Sequence, residues 1–249
     1  MGLSEGVNAL RGALGFLTRV SVGHDDADWE AFRETPAAFV AVGYLVGALL
    51  SLSLFVPGRE ATAVALVLSI PLVCGINHVD GLADWADAAV VHGDRERRRE
   101  VLTDTTTGVG ALVAVSLVVS GLALAGLALA TLPLVVAIGI VIAAEVGAKL
   151  AMALVVCLGD AAHEGFGSSF TERSERGDAL APLAASLPVL ALAPVAGVAA
   201  LLAAGGLAFA ALSWSDRHLG GVSGDVIGAT NELARLVALH AGVIAWTLW

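Results

Sequence analysis

Three aspartates lie close together in one segment, His78-Val79-Asp80-Gly81-Leu82-Ala83-Asp84-Trp85-Ala86-Asp87. Asp80, Asp84 and Asp87 are spaced i, i+4 and i+7, which places their carboxylates on one face of a helix. Like charges on one face destabilise a helix unless a cation or a basic ligand lies among them. Carboxylate oxygens suit Mg²⁺ or Mn²⁺, and Gly81 allows a ligand to approach the backbone. The pattern predicts either a divalent-metal site or a solvated acidic helix face.

An arginine-rich run follows, Asp94-Arg95-Glu96-Arg97-Arg98-Arg99-Glu100. Arg97 to Arg99 either hold phosphate groups or anchor the loop to anionic lipid. Asp104 then precedes three threonines and Gly108 at the expected start of an apolar helix. A carboxylate at that place either caps the helix or joins a metal site.

A glycine-rich segment from Gly220 to Glu232 leads into the last apolar stretch. Gly221 and Gly224 allow either tight helix packing or close approach of a phosphate. Asp225 and Glu232 are seven residues apart on one helical face, and packing does not require these acids. Two acidic patches with arginines between them suit metal-assisted phosphoryl transfer, in which a cation neutralises a diphosphate.

The chain that must position these groups is strongly apolar. Of its 249 residues 57% are hydrophobic and only 14% are charged, and the mean hydropathy is +0.86. Soluble domains carry about 25% charged residues. Residues 105–144 and 179–215 contain no Asp, Glu, Lys or Arg, and each stretch exceeds the roughly 20 residues of a membrane-spanning helix. These features exclude a soluble enzyme, a disordered chain and a nucleic-acid-binding module.

We therefore predict an all-α polytopic membrane protein that forms a single domain, 1–249, with about seven transmembrane helices. Ten arginines fall on one side of this arrangement and only Arg59 on the other, which makes the arginine-rich side cytoplasmic. The acidic and arginine-rich segment 78–107 then lies at a cytoplasmic active face of a cell-membrane protein. The predicted spans are 37–56, 61–77, 108–130, 134–158, 180–196, 198–214 and 228–248.

The N-terminal segment 1–35 is predicted to lie along the membrane interface rather than to act as a signal peptide. Its apolar residues recur on one helical face, at Leu3, Val7, Leu10, Leu14 and Leu17. Further along, Glu145 and Lys149 lie four apart inside a predicted span. They are either a mutual ion pair or functional groups at membrane depth.

The order and separation of these motifs resemble the cobalamin synthase family, the adenosylcobinamide-GDP ribazoletransferases. The first acidic motif and the glycine-rich motif together make the resemblance specific, and the matches extend along nearly the whole chain. The matching segments are Phe16-Leu17-Thr18-Arg19, His78 to Asp87, Asp94-Arg95 with Asp104 and Gly108, Glu164-Gly165-Phe166-Gly167, Gly220 to Asp225, Gly228-Ala229 and Glu232-Leu233.

The resemblance implies a membrane enzyme that requires Mg²⁺. Such an enzyme joins adenosylcobinamide-GDP to α-ribazole or α-ribazole 5′-phosphate, and it releases GMP with adenosylcobalamin or its 5′-phosphate. By position, the metal ligands would be Asp80, Asp84 and Asp87. The catalytic residues would be Asp80, Asp84, Asp104, Asp225 and Glu232, and the substrate-binding residues His78, Gly81, Arg97, Gly221 and Gly224.

The chain departs from the family pattern at a few positions. Ala88 follows the third aspartate where the family usually has glycine, and Thr105 and Ala111 replace a usual serine and glycine. Arg235 stands where a second glutamate is common. The acidic pattern is also similar to that of CDP-alcohol phosphatidyltransferases, but the arginine and later aspartates of that family are missing. A transporter is disfavoured, because most acids lie at the ends of spans instead of at midplane depth.

Overall fold

The computed structural model describes residues 2–23 and 25–249, and the side chain of Leu3 also lies outside this description. Within the described part the regular elements are helical, and one isolated β-bridge joins Ala161 to Val222. The all-α prediction is therefore confirmed. The α-helices are α1 (Leu3–Leu17), α2 (Asp26–Arg33), α3 (Ala37–Leu50), α4 (Arg59–Cys74), α5 (Asn77–Val90), α6 (Arg95–Leu102), α7 (Val109–Leu129), α8 (Leu134–Leu158), α9 (Ser168–Thr171), α10 (Leu180–Ser186), α11 (Pro194–His218) and α12 (Gly224–Leu248). Short 3-10 turns cover Ser51–Phe55, Arg176–Ala179 and Leu187–Ala191.

Helix α8 forms the centre of the bundle, and most of its residues are buried against α3, α11 and α12. Small residues make the close helix crossings possible. A Cβ at Gly47 of α3 would lie 2.7 Å from the Cα of Ile142, and Gly147 lies against Ala204 of α11. Apolar helices that pack through small residues are typical of membrane bundles, where lipid gives no hydrophobic drive for helix association.

Four helical segments are long and apolar enough to cross a membrane. They are Ala37–Phe55, Val109–Leu129, Leu134–Leu158 and Pro194–His218, and they match predicted spans. Helices α4 and α5 pass the same test only as a pair, and they are bent by 99°. By length and composition the described residues thus contain four spans, or five if the bent pair is counted, where the sequence predicted seven.

The predicted span at 180–196 is not one continuous helix. It consists of the short helix α10 and a 3-10 turn, with Pro188 inside the turn and Pro194 at the start of α11. The segment nevertheless runs the length of α8, antiparallel to it. Leu180 and Leu183 face Leu150 and Leu154 across a groove, whereas residues 192–193 lie against Gly139 near the other end of α8.

The bend between α4 and α5 directs the acidic segment. Pro71 lies in the last turn of α4, and Gly75 follows with a φ of +76°, which a residue with a side chain rarely adopts. Helix α5 then packs against α7 and α12. The aspartates of α5 consequently lie beside the first turns of α7 and α12.

Helices α1 and α2 pack together at the N-terminal end, where Arg11 and Asp28 are 3.3 Å apart. Gly12 permits this contact, because a Cβ there would lie 2.2 Å from the carbonyl oxygen of Asp28. Leu17 is buried, whereas Val7 and Leu10 remain exposed. The interfacial position of this segment stays a prediction.

Candidate active site

The aspartates of α5 lie at the polar end of the bundle, outside the four long spans. Asp80 is exposed and Asp84 is half-buried. Gly81 lets α5 approach the start of α12, because a Cβ at this position would lie 3.0 Å from the Cα of Asp225. This approach brings Asp80, Asp84 and Asp225 together, although they come from segments far apart in the chain.

A polar cavity of about 300 Å³, here called the acidic cavity, opens beside α5. Asp80 and Asp84 line one wall, and the loop after α6 with Asp104 lines another. Carboxylate and hydroxyl oxygens dominate the lining, which suits a cation and the phosphates that a cation carries. The remaining lining residues are Ala83, Leu102, Thr103, Thr105, Thr106, Thr107 and Ala111.

The carboxylates around the acidic cavity disfavour one another's ionisation. Burial is the largest cause that raises the pKa of Asp84 to about 6, and the charges of Asp80, Asp225 and Asp87 act in the same direction. Burial also raises the pKa of Asp225, while a hydrogen bond from Ser223 opposes the rise. Desolvation and like charge both favour the neutral acid. A bound cation would reverse this preference.

No three His, Cys, Asp or Glu side chains within 2–23 and 25–249 are grouped closely enough to hold a metal ion in this arrangement. The chemistry of the available donors nevertheless fits a hard divalent cation. Asp80, Asp84 and Asp104 supply carboxylate oxygens to one cavity. The neighbouring carboxylates raise the pKa of Asp84, and a divalent cation bound among them would relieve the repulsion between these negative charges.

Asp87 has a different environment from the other two aspartates of α5. Its Oδ2 accepts a hydrogen bond from the backbone N–H of Gly108 at 2.7 Å, and its Oδ1 accepts one from Ala111 at 2.9 Å. Both oxygens therefore cap the N-terminus of α7, where backbone N–H groups have no partner within the helix. Gly108 and Gly110 allow this approach, since a Cβ at either would lie within 3 Å of the carboxylate.

Asp104 lies in the loop between α6 and α7 and is exposed. Its Oδ1 accepts a hydrogen bond from the backbone N–H of Thr106 at 3.0 Å. Hydrogen bonds from Thr106 are the main cause that lowers the pKa of Asp104, and the charge of Arg97 adds to the effect. The capping of α7 that the sequence left open for Asp104 falls to Asp87, and Asp104 instead lines the acidic cavity.

The arginines of α6 point to different places. The Arg97 guanidinium pairs with Glu100 at 2.8 Å on the surface. Arg98 donates to the carbonyl oxygens of Ala88 and Ala89, and so it fastens α6 to the end of α5. Arg95 and Arg99 instead line a second cavity. In the sequence, nothing in this arginine-rich run distinguishes Arg95 and Arg99 from Arg97.

The glycines before α12 serve close packing of the loops. Gly220 and Gly221 have φ values of +77° and +144°. Gly221 is buried against the backbone of residues 160–162, and a Cβ there would lie 2.6 Å from the carbonyl oxygen of Asp160. Gly224 lies against the side chain of Phe166. Ser223 then caps α12 and holds Asp225 through a hydrogen bond of 3.2 Å.

Glu232 does not line the acidic cavity and lies inside the bundle. Its Oε2 accepts a hydrogen bond from Nη1 of Arg235 at 2.5 Å, and its Oε1 accepts one from Nδ2 of Asn231 at 2.9 Å. The Arg235 guanidinium also pairs with Glu145. His78 is buried here too, with its Nδ1 3.2 Å from Nδ2 of Asn231. These side chains form a network beneath the site.

Lys149 completes the network. Its Nζ donates to Oδ1 of Asn231 at 2.6 Å and lies 3.9 Å from Oε2 of Glu145. The mutual pair of Glu145 and Lys149 is thus only one edge of the network, since Glu145 also binds Arg235. The sequence interpretation gave no role to Asn231, and it noted Arg235 only as a departure from the family pattern. The available signal was a set of polar residues on the buried face of a predicted span.

The sequence matches one family model and a series of curated proteins. The model for cobalamin-5-phosphate synthase matches residues 9–243. The chain is 56% identical to an adenosylcobinamide-GDP ribazoletransferase of Halorubrum lacusprofundi, over 97% of this chain and 98% of that protein. It is 46% identical to the enzyme of the same name from Haloquadratum walsbyi (97% and 99% covered) and 34% identical to that of Methanocella arvoryzae (98% and 97% covered). No solved structure matches the chain.

Proposed function

The chain belongs to the cobalamin-5-phosphate synthase family, and from this premise we propose that it is an adenosylcobinamide-GDP ribazoletransferase. It transfers the cobinamide-phosphate group of adenosylcobinamide-GDP to α-ribazole or α-ribazole 5′-phosphate. The products are GMP and adenosylcobalamin or its 5′-phosphate, in the last step of cobalamin assembly. The observation that carries the proposal is the acidic cavity, where Asp80, Asp84 and Asp104 converge beside Asp225.

The reaction exchanges one phosphorus–oxygen bond for another. A ribazole hydroxyl oxygen attacks the cobinamide-side phosphorus, and the bond from that phosphorus to the oxygen of the GMP phosphate breaks. The hydroxyl proton passes to a carboxylate, and Asp225, which is not among the proposed metal ligands, is suited to accept it because burial raises its pKa. Asp87 keeps the cavity in shape by fixing the start of α7.

Asp80, Asp84 and Asp104 would hold Mg²⁺, with Asp225 beside them. Bound there, Mg²⁺ supplies charge neutralisation for the diphosphate. The carboxylates supply the oxygen ligands of this region. The close packing of α5 on α12 at Gly81 holds the acidic residues of these two helices together. The buried pairing of Glu232 with Arg235 favours a positioning role for Glu232 beneath the site.

We further propose that the chain crosses the membrane seven times with the acidic cavity on the cytoplasmic face. The broken segment between α9 and α11 supports the count, because it runs the length of α8. The bias of arginines toward the side that carries the cavity supports the orientation. Membrane lipid is then the surrounding partner, and the soluble substrates enter from the cytoplasm.

The test is GMP release from adenosylcobinamide-GDP and α-ribazole by purified membranes, with Mg²⁺ and with a chelator. We expect Asp80→Asn to lower the rate by at least about 100-fold, because transition-state charge loses its counter-ion. Asp26→Asn is the matched control, since Asp26 is an exposed aspartate in the first turn of α2. Wild-type rates for Asp80→Asn, or undiminished activity in chelator, would contradict the metal-ligand assignment.

The same assay separates the remaining enzyme alternative. A CDP-alcohol phosphotransferase would release CMP from CDP-diacylglycerol, and we expect no CMP from this protein. Release of CMP without release of GMP would overturn the proposed substrate. Both nucleotides are resolved in one chromatographic run, so one membrane preparation decides the matter.

A further inference from the structure

A second cavity lies next to the acidic cavity. Its volume is about 670 Å³, which falls in the range of roughly 300–1,000 Å³ that small-molecule sites occupy. Thr103 lines both cavities, so they are neighbours. The second cavity, here called the arginine cavity, is lined by Arg95, Glu96, Arg99, Glu100, Thr103 and His163.

Arg95 and Arg99 are held in place through only part of their hydrogen-bonding capacity. Nε of Arg95 donates to the carbonyl oxygen of Arg217 at 3.0 Å, and Nε of Arg99 donates to that of Leu219 at 2.6 Å. These carbonyls belong to the C-terminal end of α11, where helix carbonyls have no partner within the helix. Anchoring through Nε fixes the plane of each guanidinium and leaves its Nη groups for another ligand.

The two guanidiniums converge on one place. A Cβ at Gly220 would lie 2.6 Å from Nη2 of Arg99 and 3.6 Å from Nη1 of Arg95. Because Gly220 has a φ of +77° and no side chain, both guanidiniums can lie close to it. Two guanidiniums that approach the same residue repel each other, and an anion bound by both would offset that repulsion.

Neither guanidinium has a carboxylate partner within 4.0 Å among the described residues. The other arginines of α6 differ, because Arg97 pairs with Glu100 and Arg98 donates to carbonyls of α5. Glu96 and Glu100 also line the cavity, but neither forms an ion pair with Arg95 or Arg99 within that distance, and Glu100 pairs with Arg97 instead. Two anchored, unneutralised guanidiniums beside a metal-type cavity match the chemistry of a phosphate subsite.

We propose that Arg95 and Arg99 bind the guanosine-side phosphate of the nucleotide substrate, which becomes the phosphate of the leaving GMP. This inference rests on the proposed function and adds its nucleotide subsite. The acidic cavity takes the phosphorus under attack, and the arginine cavity next to it takes the neighbouring phosphate. When the bond between the two phosphates breaks, its electron pair stays on the oxygen of GMP, and the guanidiniums stabilise the charge that develops there.

The variants Arg95→Gln and Arg99→Gln test the subsite, with Arg176→Gln as the control at an exposed arginine elsewhere. We expect each cavity variant to raise KM for adenosylcobinamide-GDP and the inhibition constant of GMP by about 10- to 100-fold. KM for α-ribazole stays unchanged. Arg99→Lys keeps the charge but loses the fork, so we expect an intermediate effect.

A direct binding measurement keeps the subsite separate from the proposed activity. Labelled GDP is titrated into the purified full-length protein in detergent, and the thermal midpoint of each variant confirms that it is folded. Should the wild type release no GMP in turnover, the proposed function fails, while GDP binding that depends on Arg95 and Arg99 still supports the subsite. Wild-type KM and GDP affinity in both folded cavity variants would overturn the subsite alone.

One of the two acceptors, α-ribazole 5′-phosphate, also carries a phosphate. A second set of measurements therefore tests whether the arginines bind the acceptor phosphate or the nucleotide phosphate. Turnover is measured with α-ribazole and with α-ribazole 5′-phosphate as acceptors. The proposal expects the same defect in Arg95→Gln with both acceptors, because the nucleotide phosphate is common to both reactions. A defect confined to the phosphorylated acceptor would place the acceptor phosphate at these arginines and overturn the assignment.

Discussion

The pKa of Asp84 shows how burial and the neighbouring carboxylates act on a side chain of the acidic cavity. Its pKa is raised to about 6 by burial and by the surrounding aspartates. An unfolded chain would ionise this carboxyl near the usual value of about 4. Between these two values the folded protein binds more protons at Asp84 than the unfolded chain does. Stability therefore falls as the pH rises from about 4 to about 6, and the whole penalty is present above that range.

We accordingly expect Asp84→Asn to raise the melting temperature of the metal-free protein at about pH 8, because the amide removes a carboxylate that repels Asp80 and Asp225. The gain shrinks as the pH falls and vanishes below about pH 4, where wild-type Asp84 becomes neutral in both the folded and the unfolded state. Thermal unfolding in detergent with a chelator measures this difference. A gain that is constant with pH would show that Asp84 carries no such penalty.

Residue spacing predicted some contacts of these side chains and missed others. The i, i+4, i+7 pattern predicted that three carboxylates act together, and Asp80 and Asp84 do line one cavity. Asp87 instead caps α7, a contact made across 21 residues of chain that helical spacing does not encode. Likewise, Arg95 and Arg97 look equivalent in sequence. Only the position of the α11 carbonyls separates them.

The buried network of charged and polar side chains joins three helices beneath the acidic cavity. Glu145 and Lys149 come from α8, Asn231 and Arg235 from α12, and His78 from α5. Charges inside a membrane bundle are costly unless they are paired. Arg235 is the central cation, since it binds the carboxylates of both Glu145 and Glu232. This arrangement fixes the start of α5 relative to α8 and α12.

Removing Arg235 should therefore damage the fold more than removing Glu145. Arg235→Gln leaves two buried carboxylates with Lys149 as the nearest remaining cation, whereas Glu145→Gln leaves one carboxylate for two cations. Breaking a buried pair costs about 3–5 kcal/mol, and we expect Arg235→Gln to lie at or above the upper end of that range. Yield of folded protein and its melting temperature in detergent give the comparison. Equal, small losses in both variants would contradict this account of the network.

The elements themselves were predicted unevenly, for a physical reason. Long apolar stretches identified α7 and α8 close to their observed ends and α11 to within four residues at each end, because burial of an apolar helix depends on composition. The segment 180–196 is just as apolar, yet it folds as α10 and a 3-10 turn. Pro188 removes a backbone donor there and interrupts the helix. Composition therefore reports that a segment is buried in the membrane region, but not that it is a continuous helix.

The whole molecule is a bundle whose ends differ in chemistry. The acidic cavity, the arginine cavity and the loops that precede α7 and α12 lie at one end, and the short turns beside Arg59 and Pro133 lie at the other. The number of crossings between the start of α3 and the end of α12 is odd only if the broken segment between α9 and α11 crosses the membrane fully. Its contacts near both ends of α8 support the proposal of seven crossings.

Single cysteines labelled by a membrane-impermeant maleimide test this topology in vesicles of known orientation, because native Cys74 and Cys157 are buried. We expect Asp94→Cys and Glu175→Cys to react from the cytoplasmic side, and Arg59→Cys and Leu192→Cys from the opposite side. Glu175 and Leu192 flank the broken segment, so their opposite labelling means that the segment crosses. Labelling of both from one side would make it re-entrant and reduce the number of crossings. Labelling of Asp94→Cys from outside would place the active face on the wrong side of the membrane for cytoplasmic nucleotides.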